Sequence, residues 1–263
     1  CDHAADVPRA CPACGGEMLE YQGVGTERVE ADLVERFPGV RVARVDRDTV
    51  RRRGEVTRVL DRFARRELDV LVGTQMIAKG HDFPAVTLVG VISADVGLGL
   101  ADFRAGERTF QLLTQVAGRA GRGEVAGEAI VQTLCPEHYS IRLETTQDYA
   151  AFFAREIFVR NPMRCPPADA LVNVVVRDAD LPAALTAARR IAAEVRRRGE
   201  GRGVRVVGPA PAPLSRLRGE SRAQFFAKGS DRHALRAAVR DAVAAFPALR
   251  RQVTVDVDPL SVL

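Results

Sequence analysis

Two arginines in the stretch QVAGRAGRG have the residue type and spacing expected of a phosphate-binding site. Arg119 and Arg122 stand three residues apart, and each directly follows a glycine. A guanidinium group is permanently charged and can hold phosphate oxygens with two parallel N–H donors. The alternative is local, because glycine tolerates the backbone angles that end helices and the helix dipole favours a cation in the last turn. These residues by themselves leave both interpretations open.

Glycines and polar residues lie at the ends of the predicted strands in the first half of the chain and in the loops that follow them. They are Gly25, Thr26, Gly73, Thr74, Gln75, Lys79, Gly80 and Asp82. Backbone N–H groups and a threonine hydroxyl at a strand end can hold a phosphate. Turn and capping chemistry is the alternative for each Gly-Thr pair taken singly. The sequence contains no G-x-x-x-x-G-K-[ST] loop and no acidic tetrad for magnesium, so it predicts phosphate-facing loops without a nucleotide cradle.

Three cysteines near the start of the chain have the spacing of zinc ligands. Cys11 and Cys14 form a C-x-x-C knuckle, the local form of half a four-thiolate site, and Cys1 stands ten residues earlier. Nothing suggests secretion, which makes a disulfide the weaker interpretation. Because the chain starts at a cysteine without a methionine, we expect it to be part of a longer protein that carries the remaining ligands.

Composition sets broad limits on the function. The 263 residues suffice for two domains, and the apolar fraction of 46% is typical of a globular protein. The formal charge of +5 permits an anionic partner such as nucleic acid. That signal is weak, since nearly all the basic residues are arginine, as a GC-rich genome would also produce. No apolar run approaches the roughly 20 residues that a membrane span needs.

The elements that would position these residues alternate between strands and helices. Strands are predicted at 18–25, 40–46, 68–74, 86–95 and 127–134, with helices at 27–37, 54–67 and 107–118. The apolar runs at 68–74 and 86–95 are typical of strands buried on both faces, which predicts a doubly wound, mostly parallel sheet. Such sheets bind ligands beyond the carboxyl ends of their strands.

The pattern changes past residue 140. A helical and proline-rich linker is followed by strands at 171–178, 204–208, 222–228 and 252–257 and by helices at 181–198 and 232–245. This β-α-β-β-α-β order predicts a small two-layer α/β domain. The predicted divisions of the chain are 1–17, 18–140, 141–168 and 169–263.

Two stretches resemble one helicase family. LVGTQMIAKGHDFPAVTLVGV and DFRAGERTFQLLTQVAGRAGRGEVAGEAIVQT are similar to motifs V and VI of the primosomal replication-restart DNA helicases, and the likeness covers essentially the whole chain. The resemblance implies a RecA-like second lobe of a superfamily 2 helicase, followed by a small domain like ribosomal protein S10. It also implies a partial zinc knuckle at residues 1–17. The lobe that binds most of the ATP and Mg²⁺ would lie elsewhere in the protein, so the isolated chain is expected to hydrolyse no ATP.

The resemblance also assigns roles to residues. It implies that Arg122 is an arginine finger on the γ-phosphate, that Arg119 binds the same phosphates, and that Gln115 senses the nucleotide or orients water. The residues expected to couple the nucleotide to DNA are Gly73, Thr74, Gln75, Lys79, Gly80 and Asp82. Those expected to contact DNA are Gly25, Thr26, Arg216, Arg218 and Arg222. The family has two structural zinc sites, to which Cys1, Cys11 and Cys14 would contribute incompletely.

The implied activity is ATP-dependent 3′ to 5′ unwinding at stalled or branched forks, with primosome assembly. The implied partners are forked DNA with its single-strand/double-strand junction, primosome proteins and single-stranded DNA-binding protein, in the cytoplasm and without a membrane. Two alternatives are a restart scaffold without catalysis and a DNA-binding α/β module without nucleotide chemistry. The chain departs from the family at Glu220-Ser221, where a basic or aromatic pair is usual.

Overall fold

The computed structural model describes residue 10 and residues 15–16, 25–46, 54–74, 83–120 and 126–262. Some predicted features lie outside these ranges: the strand at 18–25, except for its last residue, and the site residues Cys1, Cys11, Cys14, Gln75, Lys79, Gly80, Asp82 and Arg122. The chain divides into two compact units. The amino-terminal unit consists chiefly of Val7–Leu100 and Ala105–Phe152, and the carboxyl-terminal unit chiefly of Ala101–Arg104 and Phe153–Leu263.

The amino-terminal unit contains helices and parallel strand pairs. Its helices are α1 (Thr26–Arg36), α2 (Glu55–Ala64), α3 (Asp95–Leu98), α4 (Ala105–Ala117) and α5 (Tyr139–Thr145), and α6 (Tyr149–Met163) continues into the other unit. Its strands are β1 (Val42–Val45), β2 (Val70–Gly73), β3 (Leu88–Val91) and β4 (Glu128–Val131). β1 pairs in parallel with β2, and β3 with β4. The predicted alternation and parallel pairing are therefore confirmed.

The strands differ from the prediction in two respects. Among the described residues they form two separate pairs, β1-β2 and β3-β4, instead of one continuous sheet. The prediction of burial on both faces was wrong for β3, since Leu88 is 58% exposed. Among the described residues, each of these strands has a single neighbouring strand.

The carboxyl-terminal unit has the predicted β-α-β-β-α-β order. Its elements are β5 (Ala170–Asp178), α7 (Leu181–Gly199), β6 (Arg205–Leu217), β7 (Glu220–Gly229), α8 (Arg232–Ala244) and β8 (Val253–Val257), with a short 3₁₀ turn at Pro247–Leu249. The sheet order is β6-β7-β5-β8, and every neighbouring pair is antiparallel. This is the split β-α-β arrangement.

Helices α7 and α8 pack on one face of the four-stranded sheet. The core contains β5 valines, helix residues such as Ile191 and Leu235, and Phe225 of β7. The carboxylate of Asp180 accepts a hydrogen bond from the N–H of Ala183 and so caps α7. Such caps satisfy N–H groups that have no acceptor within the helix. None of the described helices combines the length and hydropathy needed to cross a lipid bilayer.

The hairpin of β6 and β7 is longer than predicted. The sequence indicated a strand ending at residue 208, but β6 extends to Leu217 and pairs with β7 up to Glu220. The intervening prolines are tolerated because β6 is an edge strand, where an N–H is dispensable. Arg218 and Gly219 form the two-residue turn with φ of 52° and 83°. Positive φ at both central residues is the signature of a type I′ hairpin turn.

Candidate functional site

Four of the predicted residues lie near the carboxyl ends of β1 and β2. Val45 pairs with Gly73, so the strands end side by side and Thr74 follows directly as an exposed residue. The hydroxyl of Thr26, at the start of α1, donates a hydrogen bond to Asp46 Oδ2 at 2.6 Å. Gly25 immediately precedes Thr26. The pairing of β1 with β2 and the bond from Thr26 to Asp46 thus place both Gly-Thr pairs near the carboxyl ends of these strands.

Two residues at this edge, Arg44 and Asp46, were not among the predicted site residues. The Arg44 side chain, 14% exposed, lies 2.9 Å from Glu27 Oε1 and 3.2 Å from Asp46 Oδ2. It also lies 3.5 Å from Glu30 Oε2, so one guanidinium ties α1 to β1. A charged residue in the middle of the strand VARV was the available signal.

This network changes what Thr26 can contribute. Its hydroxyl proton is directed at Asp46, a buried carboxylate, which would repel a nearby phosphate. A phosphate contact by this hydroxyl would require it to rotate away. The N–H groups of Thr26 and Glu27 remain suited to an anion, because no earlier turn supplies an acceptor and Gly25 offers no side-chain cap. Those of Arg28 and Val29 already donate to Gly25 O.

Gln115 lies in the last turn of α4, and Arg119 lies two residues beyond the helix, which ends at Ala117. Gln115 is exposed and Arg119 is half-buried. The N–H of Gly118 donates to Thr114 O at 3.0 Å, and the N–H of Arg119 donates to Val116 O at 2.9 Å, so the helical path continues to the arginine. Gly118 does not have a positive φ and is therefore not a left-handed helix cap.

The three arginines that were predicted to contact DNA lie at one end of the β6-β7 hairpin. Arg216 is on β6, Arg218 is in the turn, and Arg222 is on β7. Arg216 and Arg218 are exposed, whereas the half-buried Arg222 donates from Nη1 to Leu214 O at 3.3 Å. Glu220, beside the turn, lies 3.5 Å from Arg177 Nη1. The hairpin end therefore presents cations with one carboxylate among them.

Two carboxyl groups of the amino-terminal unit are electrostatically distinctive. Asp95 accepts hydrogen bonds from Thr133 Oγ1 at 2.6 Å and from the Leu134 N–H at 2.8 Å. These bonds stabilise the anion and hold the pKa of Asp95 below its usual value. Burial has the opposite effect on Glu144, whose pKa it raises. The bonds from Thr133 and Leu134 to Asp95 connect the segment after β4 to the start of α3.

The zinc prediction concerns Cys1, Cys11 and Cys14, which lie outside the described residues. Within the ranges that the structure does describe, no group of three potential metal ligands is found. Cys135 is exposed and Cys165 is buried, and both are free thiols.

Two family models match the chain in succession. Residues 22–124 match the helicase conserved C-terminal domain, and residues 161–260 match the primosomal protein N C-terminal domain. The first match contains the β1-β2 edge and the end of α4, and the second contains the β6-β7 hairpin.

Several curated relatives carry the name replication restart protein PriA. The protein of Bacillus subtilis is 44% identical over 87% of this chain and 28% of its own length. That of Haemophilus influenzae is 38% identical over 98% of this chain and 36% of its own length. That of Synechocystis is 39% identical over 87% of this chain and 27% of its own length. The chain thus spans about a third or less of these relatives.

Among solved structures, the de novo designed protein Foldit4 aligns with 34% of this chain and 92% of its own. It is 19% identical with a TM-score of 0.27, which is too low to support an argument.

Proposed function

Because the chain belongs to the PriA family of replication restart proteins, we propose that it is the carboxyl-terminal part of an ATP-dependent DNA helicase. The complete protein would move 3′ to 5′ at stalled or branched replication forks and support primosome assembly. The observation that carries this proposal is the arrangement at the end of α4. Gln115 lies in the last turn of α4 and Arg119 just beyond it, both within the residues that match a helicase family model.

The residues present fit a nucleotide phosphate. Arg119 offers a half-buried permanent cation, and Gln115, four residues earlier, offers an exposed amide. ATP with Mg²⁺ would supply the phosphoryl group, and another lobe of the protein would hold most of it. In this lobe Arg122 would act as the arginine finger, Arg119 would bind the same phosphates, and Gln115 would position water. Such fingers are worth about 10³- to 10⁵-fold in rate.

DNA would be held in two places. At the β1-β2 edge, Thr74 and the amides at the start of α1 would contact phosphates, and Gln75, Lys79, Gly80 and Asp82 would link this contact to the nucleotide. At the hairpin end, Arg216, Arg218 and Arg222 would contact branched DNA. Phosphate contacts position a protein without identifying bases, which suits a restart helicase that acts at forks of any sequence.

The remaining assignments follow from family membership. Cys1, Cys11 and Cys14 would contribute to two structural zinc sites, because thiolates in C-x-x-C spacing suit tetrahedral zinc. Residues 18–140 would form the second helicase lobe, and residues 169–263 an S10-like domain. The partners would be forked DNA, primosome proteins and single-stranded DNA-binding protein in the cytoplasm.

The test uses the full-length protein and measures ATP turnover with and without forked DNA. Arg119→Ala and Arg122→Ala should each lower DNA-stimulated kcat by at least about 100-fold, with fork affinity within about twofold, because the lost charge acts mainly on the transition state. Arg122→Lys should rescue little, since an ammonium lacks the paired donors. The exposed Arg142→Ala on α5 is the matched control. Fork binding without any turnover in the unmodified protein would instead favour a restart scaffold.

A further inference from the structure

The hydroxyl of Thr26 has a single proton, and Asp46 already accepts it. The distance from Thr26 Oγ1 to Asp46 Oδ2 is 2.6 Å, and Asp46 is 6% exposed. A hydrogen bond to a carboxylate is roughly twice as strong as one between neutral groups. A DNA phosphate at the β1-β2 edge therefore competes with Asp46 for the same proton.

Arg44 supplies a counter-charge to Asp46 that does not depend on the hydroxyl. Arg44 Nε lies 3.2 Å from Asp46 Oδ2, the same oxygen that accepts the proton of Thr26. A buried carboxylate that loses its partners is strongly destabilising. Because Arg44 stays beside this oxygen, Asp46 remains compensated when the hydroxyl turns away, and the exchange costs less.

The other two carboxylates around Arg44 are more exposed than Asp46. Glu27 Oε1 lies 2.9 Å and Glu30 Oε2 3.5 Å from the guanidinium, and their side chains are 78% and 36% exposed. Water screens exposed ion pairs, which leaves them little net energy. Of the three carboxylates, the buried Asp46 therefore depends most on Arg44.

Thr26 can turn away from Asp46 without a change in the backbone. It is the first residue of α1, and threonine in a helix populates two side-chain rotamers. An anion held by the N–H groups of Thr26 and Glu27 would lie close to the rotated hydroxyl. The hydroxyl thus has two alternative acceptors, one on the protein and one on the bound strand.

From this geometry we infer that Asp46 is a positioning residue that limits the grip of the β1-β2 edge on DNA, because it withdraws the Thr26 hydroxyl from the phosphate. Arg44 keeps the carboxylate in place during the exchange. A helicase that steps along a strand has to release each phosphate that it binds, and a competing acceptor keeps this contact reversible. The inference rests on the proposed DNA contact at this edge.

The experiment measures the affinity and dissociation rate of oligothymidine on the full-length protein at one fixed salt concentration, alongside DNA-stimulated ATP turnover. Asp46→Asn keeps an acceptor for Thr26 but removes the charge, so the affinity should rise about fivefold, chiefly through slower dissociation. Arg44→Gln should lower the affinity about threefold, because the uncompensated Asp46 then repels the phosphate. Damage to the local packing would instead lower the affinity in both variants.

Thr26→Val separates competition for the proton from simple charge repulsion. Valine has nearly the shape of threonine but no hydroxyl. In this background Asp46→Asn should change the affinity by less than about twofold, since the two residues act on one bond and their effects are not additive. A full fivefold gain without the hydroxyl would overturn the competition, and so would an unchanged or lower affinity in Asp46→Asn alone.

The matched control is Asp69→Asn. Asp69 pairs with Arg41 at 2.6 Å directly before β2 and β1, at the amino ends of the same two strands. This variant should keep the affinity within about twofold, because the pair is exposed. Equal gains in Asp69→Asn and Asp46→Asn would show a general effect of net charge and overturn the inference. Turnover that DNA does not stimulate in the unmodified protein, with the expected affinities intact, would instead reject the helicase function.

Discussion

Replacing Arg218 by asparagine should separate the hairpin's contact with DNA from its stability. Arg218 and Gly219 form a type I′ turn in which both residues have positive φ. Arginine is an unfavourable residue at the first of these positions, whereas Asn-Gly is the preferred pair. The substitution therefore removes an exposed charge and improves the local conformation at the same time.

The size of both effects can be worked out from the structure. A left-handed conformation costs an ordinary residue about 1–2 kcal/mol, and asparagine recovers about half of that, or roughly 0.5–1 kcal/mol. The Tm should therefore rise by about 2–4 °C. Loss of one phosphate contact should reduce the slope of log K against log salt by about 0.9. Between 50 and 200 mM salt the affinity ratio of the unmodified and variant proteins should then shrink by about 3.5-fold.

The assay is fork-binding anisotropy across that salt range, alongside thermal unfolding of the same samples. Arg189→Gln on α7 is the control, because it removes one exposed charge and keeps a good helix former. If Arg218→Asn and Arg189→Gln give the same salt slope, the hairpin arginine does not contact DNA. A lower Tm for Arg218→Asn would refute the turn assignment.

Further predictions concern stability and titration. Burial raises the pKa of Glu144, so the folded state binds its proton more tightly than the unfolded state; this favours folding at low pH and is lost as pH rises through the folded pKa. Glu144→Gln should consequently raise the Tm at pH 8 and have little effect near pH 4. Phe225→Ala should lower the free energy of unfolding by about 3–5 kcal/mol in urea denaturation, since the side chain is fully buried. The control Val207→Ala, at an exposed residue, should cost less than about 1 kcal/mol. An equally small cost for Phe225→Ala would contradict the burial of Phe225. Arg41 donates two side-chain hydrogen bonds to Asp69 and lowers its pKa to about 2, and the Arg41 N–H adds a third. An NMR titration should find that midpoint and a return towards 3.8 in Arg41→Ala, with the pair's stabilisation lost as pH falls from about 4 to 2.

The order of elements in the carboxyl-terminal unit was predictable because its signals are local. The nearly continuous apolar run of β5, which is buried from Ala170 to Val176, and the capping aspartates before α7 and α8 mark where these elements lie. The length of the hairpin was not predictable from the same signals. Prolines between residues 209 and 213 indicate a loop, and only the position of β6 at the sheet edge makes them compatible with a strand.

The candidate site divides in the same way. Arg119 and Arg122, which each follow a glycine, and the two Gly-Thr pairs were recognisable as candidate phosphate-binding residues. Phosphate binding constrains residue type and short-range spacing, which a sequence shows directly. The bond between Thr26 and Asp46, 20 residues apart, was not, since it depends on how α1 packs against β1. Nor could the sequence predict that the Arg160 guanidinium lies 5.3 Å from the centroid of the Phe103 ring. Adjacent residues in the sequence, Arg104 and Ala105, belong to different units, and only long-range packing decides that division. Residue type and short-range spacing therefore identified the candidate phosphate-binding residues, while tertiary contacts decided which of them are already hydrogen-bonded to other side chains.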